Sequence, residues 1–249
     1  MKNFTKIILT SALLLLPNAF AGMESNLAAL LQSRAGTVIK IVKVYDLESF
    51  KGVKFVSIEE VASAQRYPIF ASSEGNSVIG YSNLFFSDSK KDNATIQDAL
   101  KEIQNHNKGA KDKKLSEIFS QIPEKHYINL QSTGKNVSKT TVVITDPECP
   151  YCRGELKNIE EKLKETNIKI LLAPVHARNA FIKSQIAMDR TANAKSDKER
   201  ISILREVYAE SYKIPEKARD MKTPLIDENV EKVYSNGLIR GVPFIFEMQ

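Results

Sequence analysis

The 249-residue chain contains only two cysteines, and that scarcity excludes a good deal. An exported protein held together by disulfides usually carries four, six or eight cysteines along its length. Here Cys149 and Cys152 stand three residues apart. A crosslink that short closes a tiny loop and removes little entropy from the unfolded chain. Its structural value is small, so chemistry is the better reason for the pair. A zinc site would need two further ligands, yet no two of His106, His126 and His176 stand at metal-site spacing. No metal is expected, and no cofactor beyond the cysteine pair itself.

Long hydrophobic runs are scarce as well. Lys2 and Lys6 lead into Ile7 to Leu16, apolar apart from Thr10 and Ser11, and Pro17 ends the run. Ala19-Phe20-Ala21 then offers small residues where a signal peptidase reads. Residues 1–21 therefore read as a cleaved secretory signal, too short for the roughly 20 apolar residues of a membrane span. No later segment is apolar enough to cross a membrane, and no cysteine near the cleavage site could carry a lipid. Removing the signal leaves residues 22–249, enough for one large domain or two small ones. The formal charge of +6 loses Lys2 and Lys6 with it. No dense Lys/Arg block remains to suggest nucleic acid, and runs such as Lys111-Asp112-Lys113-Lys114 read as solvated helix surface.

What is present falls into three stretches. Ser25 to Arg34 reads as a short amphipathic helix with Leu27, Leu30 and Leu31 on one side. Strand-like segments follow at Thr37 to Leu47, Val53 to Ile58 and Ser77 to Phe86, with a weaker one at Tyr67 to Ala71. Alternation in the first is imperfect, because Val38-Ile39 and Ile41-Val42 are adjacent apolar pairs. Residues 87–125 are poor in hydrophobics. They read as a helical linker, with Ile96, Leu100 and Ile103 before a break at Gly109 and Leu115, Ile118 and Ile122 after it. A segment as small as 22–86, without a disulfide, is marginal alone and gains from pairing with another copy.

From His126 the pattern alternates. Strands are expected at His126 to Gln131, Thr140 to Thr145, Ile168 to Ala173 and Pro243 to Met248. A helix begins at the cysteines with Leu156, Ile159 and Leu163 on one face. Helices at Ala177 to Ala194 and Asp197 to Tyr212 follow without an intervening strand, and another runs from about Leu225 to Asn236. This order suits a thioredoxin-like sheet with helices inserted at about 176–224.

Thr145-Asp146-Pro147-Glu148-Cys149-Pro150-Tyr151-Cys152 joins a strand directly to a helix. Cys149 then sits at a helix N-terminus, where unpaired N–H groups and the dipole favour a thiolate. Pro150 suits the first helical position, which needs no N–H. Cys152, one turn on, faces inward and can reach the first sulfur. Asp146 and Glu148 oppose a thiolate, while Arg153 favours one. His176 reads as a polar loop residue. Late in the chain, Gly241-Val242-Pro243 enters the last strand. With a Cys-x-x-Cys opening a helix, it completes the joint signature of thioredoxin-fold oxidoreductases. A cis Pro243 would bring the Val242 backbone against the sulfurs, where it could pair with a substrate chain.

On these residues the chain resembles the periplasmic DsbC/DsbG family of thiol:disulfide interchange proteins. Thr145, Asp146, Cys149, Tyr151 and Cys152 match the motif of its isomerases. The resemblance implies an α+β architecture with an N-terminal dimerisation domain at 22–86, the linker at 87–125 and a thioredoxin-like catalytic domain at 126–249. It also implies a periplasmic homodimer that acts on unfolded or disulfide-containing exported proteins and is recharged by a DsbB- or DsbD-like membrane partner. Cys149, Cys152 and Pro243 would be catalytic, and Pro150, Tyr151 and Val242 would tune the pair or touch substrate. Two departures stand out. Pro150 and Val242 replace the isomerases' Gly and Thr and resemble the DsbA oxidases. The strand and helix that end a complete thioredoxin fold do not follow Pro243 to Met248. Oxidation, isomerisation and a non-catalytic chaperone with a structural disulfide all remain open at this point.

Overall fold

The computed structural model describes residues 21–248, and the expected signal lies outside them except for Ala21. Contacts divide the chain between Ala110 and Lys111 into two compact units.

In the first unit, helix α1 (Ala21–Ala35) precedes four strands, β1 (Ile39–Asp46), β2 (Val53–Glu60), β3 (Gln65–Ser72) and β4 (Val78–Gly80). They form an antiparallel sheet in that order. Side chains alternate across β2. Val56 and Ile58 pack on Met23 and Leu27 of α1. Phe55 points the other way, onto Leu47 and onto Ile96 and Ala99 of α2 (Lys90–Gln121). Phe55 also meets Phe70 and Tyr81 edge-on, at centroid distances of 5.2 and 5.7 Å.

Four local expectations are refined or changed. The broken alternation of β1 has a specific cause. Its register against β2 shifts between Ile41 and Lys43, so Val42 is the extra residue of a β-bulge that reverses the phase. The segment read as the weakest strand is β3, a full eight residues long. Its Pro68 lies beyond the β4 ladder, which begins at Ile69, so its missing N–H is tolerated. The stretch 77–86 is a strand only over Val78–Gly80; Leu84 and Phe86 are exposed, and Phe85 packs on Phe50 and Phe70. Finally, α2 runs through Gly109 without a break. A mid-helix glycine costs only about 1 kcal/mol against alanine, and buried residues anchor the helix on both sides, from Ile96 to Ile103 and from Leu115 to Ile122.

The second unit contains β5 (Tyr127–Leu130), β6 (Thr140–Thr145), β7 (Asn167–Leu172) and β8 (Phe244–Met248), arranged β5-β7-β6-β8. The β6–β7 pair is parallel and the outer pairs are antiparallel. The β6–β7 crossover carries α3 (Pro150–Lys157) and α4 (Ile159–Lys162). A single helix was expected there. It divides at Asn158 (φ −102°, ψ 15°), yet Leu156, Ile159 and Leu163 are all still buried. After β7 come α5 (Arg178–Ala192), α6 (Asp197–Tyr208) and α7 (Pro224–Tyr234). Residues of α3, α5 and α6 pack with Val143, Ile170 and Leu172 in one core. Val142, Ile144 and Leu171 join Leu115, Phe119 and Val233 in the other. The sheet is therefore covered on both faces. This is the α+β, thioredoxin-like arrangement expected from the sequence.

Candidate active site

Strand β6, six residues rich in β-branched side chains, delivers Thr145 and Asp146 to the start of α3. The turn between them is set locally. Asp146 Oδ1 accepts the Glu148 N–H at 2.7 Å, an Asx-type bond two residues on, and its carbonyl accepts the Cys149 N–H at 3.2 Å. Cys149 is thus the N-cap of α3, with extended dihedrals (φ −81°, ψ 121°), and Pro150 is the first helical residue.

Both cysteines are free and buried, Cys149 4% and Cys152 1% exposed. Exposure hardly separates the pair, contrary to the picture of an outer and an inner thiol; surroundings do. The Cys149 thiol donates to the Val242 carbonyl at 3.7 Å, and the Val242–Pro243 peptide is cis. Tyr151, two residues on in the chain, is 79% exposed, and Val175, whose N–H is bound by Asp146, is 50% exposed. Cys152 is walled by Val143, Leu156, Ile170 and Leu204. Burial there pushes its thiol from an ordinary 9.0 up to about 12, against the pull of hydrogen bonds from Thr145 and the Asp146 backbone. The structure therefore brings Cys149, Pro150, Tyr151, Cys152, Val242 and Pro243 to one place.

The charges around the pair are more balanced than the local sequence suggested. Glu148 is neutralised by Lys183 of α5, nearly buried and 2.8 Å away, whose ammonium also lies over the Tyr212 ring at 5.7 Å. Arg153 is not free to act on the sulfurs, because it pairs with Glu210 at 2.6 Å. Asp146 is fully buried and ties two loops together. Its Oδ2 accepts the Val175 and His176 N–H groups at 2.8 and 3.1 Å and lies 2.7 Å from His176 Nδ1. His176 is thus a loop residue bound to the back of the motif. Lys183, Glu210 and Tyr208 were not singled out from sequence. They lie on or just after helices remote from the motif, and no local pattern marks them. Only the Asx geometry of Asp146 had a local signal. Among the described residues no cluster of His, Cys, Asp and Glu is arranged for a metal ion.

Residues 27–115 match the family described as disulfide isomerase DsbG N-terminal. The fold is similar to that of Helicobacter pylori DsbG, at 28% identity and a TM-score of 0.53, over 90% of this chain and 99% of that one. The chain is thus similar to the DsbG-type thiol:disulfide oxidoreductases. Lesser likenesses reach the thiol-disulfide exchange protein alpha-DsbA2 of Wolbachia pipientis (14% identity, TM-score 0.38, 55% of this chain and 87% of that one). A periplasmic thioredoxin-like protein of Salmonella enterica serovar Typhimurium is also similar (17%, 0.34, 53% and 83%). No curated protein sequence matches closely. In the DsbG-like chain the family match ends well before the cysteines, so the pair and its surroundings rest on their own geometry.

Proposed function

We propose that this DsbG-like chain introduces and rearranges disulfides in exported proteins of the periplasm, with Cys149 as the attacking sulfur and Cys152 as the resolving one. One observation carries the reading. The Cys149 thiol sits at a helix N-terminus, 3.7 Å from the Val242 carbonyl and two residues before the exposed Tyr151. A backbone carbonyl next to the reactive sulfur offers an extended substrate chain something to pair with. Thiol–disulfide exchange needs a thiolate, and an N-cap cysteine is placed to form one. Pro150 and Val242 favour an oxidase, or a mixed oxidase and isomerase. A dedicated isomerase is the second reading, supported by the isomerase family matched over residues 27–115. Either activity draws on a DsbB- or DsbD-like membrane partner and needs no bound cofactor.

The resting state separates the two readings. Acid-quenched thiol trapping in cells should find Cys149 and Cys152 mainly oxidised, since an oxidase is held ready to donate its disulfide. A pair found mainly reduced would overturn the oxidase reading in favour of the isomerase.

Dimerisation through residues 22–86 belongs to the same proposal. β4 ends the sheet of that unit, and Ile79, Leu84 and Phe86 around it are 70%, 66% and 83% exposed. An unpaired edge beside apolar side chains is a surface that gains from a second copy. The mature chain should sediment as a dimer at micromolar concentration; a monomer would contradict this part.

A further inference from the structure

Cys152 cannot act as it stands. Cys152 must be a thiolate when it resolves a mixed disulfide on Cys149, and it leaves as one when a substrate thiolate opens the Cys149–Cys152 disulfide; its surroundings oppose one. The cavity beside it, about 20 Å³ and room for a single water, has mostly apolar walls. The charged groups nearby are committed elsewhere. Asp146 is held by Glu148, Val175 and His176, and Glu155 pairs with Lys162. The Asp146 backbone supplies one donor, and among side chains two hydroxyls remain. Tyr208 of α6, almost wholly buried, donates to Thr145 Oγ1 at 3.1 Å. Thr145 lines the same small cavity as Cys152, and its hydroxyl draws the Cys152 thiol back down against burial. The order of donation follows from Tyr208. Its hydroxyl hydrogen is spent on Thr145, which leaves the single threonine hydrogen for the sulfur. Burial also holds the Tyr208 phenol well above its ordinary value, so it stays a donor.

We propose that Tyr208 and Thr145 form a donor chain ending on Cys152 that stabilises its thiolate during exchange. This rests on the exchange chemistry proposed above. In resolution, the Cys152 thiolate bonds to the Cys149 sulfur, and the Cys149–substrate bond breaks with its electron pair on the substrate sulfur. The proton from Cys152 passes through water to that departing thiolate, so Cys152 is oxidised as the substrate sulfur is reduced and Cys149 stays at the disulfide level. In the reverse direction Cys152 leaves as the thiolate, and the same bond assists it. The chain therefore serves an oxidase and an isomerase alike. Thr145 lines the cavity beside the reacting sulfur. Tyr208 is a positioning residue that orients and polarises Thr145.

The test uses the mature chain carrying Cys149→Ala, in which Cys152 is the only thiol, and follows its alkylation by iodoacetamide at pH 9. Thr145→Val keeps the shape and removes the hydroxyl. A hydrogen bond to a charged group is strong enough that its loss should slow alkylation by about tenfold or more. Thr145→Ser should react at nearly the parent rate, and Tyr208→Phe about threefold more slowly. In the two-cysteine chain, Thr145→Val should lengthen the life of the mixed disulfide by a similar factor while its formation by Cys149 is unchanged. Equal alkylation in Thr145→Val and parent would overturn the proposal, even if the variant melts earlier. Should Thr145→Val fail to fold, Tyr208→Phe alone decides, and a parent-like rate there would overturn the chain. A wild-type chain that forms no mixed disulfide would sink the exchange function, while the alkylation rates would still decide whether the hydroxyls support the thiolate.

Discussion

Cys149→Ser should reduce thiol–disulfide exchange with a protein substrate to the background rate, and Cys152→Ser should stop it at the first mixed disulfide. The two variants fail for different reasons. Serine at 149 removes the sulfur that meets the substrate at the N-cap of α3, and an alcohol is no substitute for a thiolate. Serine at 152 leaves that first attack intact. It removes the sulfur one turn on, which is held among Val143, Leu156 and Leu204 and is protected from casual reaction by its raised thiol value. Refolding of a reduced or scrambled substrate, followed enzymatically, reads both. Multiple turnovers by Cys152→Ser would show that the second sulfur is dispensable, and full activity in Cys149→Ser would remove the site altogether.

Asp146→Ala should cost about 3–5 kcal/mol of stability, as expected when a buried, fully engaged charged group is removed. The carboxyl is completely buried and accepts three backbone N–H groups, those of Glu148, Val175 and His176. Alanine leaves these donors in the interior with no acceptor, each at a cost of about 1–3 kcal/mol. Asp146→Asn should lose less, because its carbonyl oxygen still accepts while its amide group faces donors. Denaturant titration of the catalytic unit's transition measures this as a lower midpoint. A midpoint for Asp146→Ala within about 1 kcal/mol of wild type would mean that water replaces the carboxyl and that the 146–176 tie matters little.

Much of this was legible in the sequence wherever a signal was local. The β-branched run Thr140 to Thr145 is β6 to the residue, and Cys149 with Pro150 after it marks the helix start. Legibility failed where a distant partner decides. The stretch Tyr67 to Ala71 read as only a weak strand, yet pairing with β2 and β4 holds it in place. Leu84 to Phe86 looked like strand because they are apolar, yet Phe85 is spent on an aromatic cluster and its neighbours face outward. The site divides in the same way. Its sulfurs lie in a motif eight residues long. Its electrostatics depend on Lys183 and Tyr208, which lie 35 and 59 residues beyond Glu148 and Cys149 respectively and reach back only through the packing of α5 and α6. A carboxylate beside a cysteine reads from sequence as repulsive, and only the fold reveals that Lys183 answers Glu148 and that backbone donors answer Asp146.

The division of labour between the two sulfurs is tested most directly by trapping. The Cys152→Ser chain, reacted with a scrambled-disulfide substrate and quenched in acid, should hold that substrate in a covalent complex. Peptide mapping by mass spectrometry should then place the mixed disulfide on Cys149. In the wild-type chain the same complex should be short-lived and give way to an intramolecular Cys149–Cys152 disulfide. A wild-type chain whose trapped substrate sits on Cys152, or a Cys152→Ser chain that captures nothing, would contradict the account.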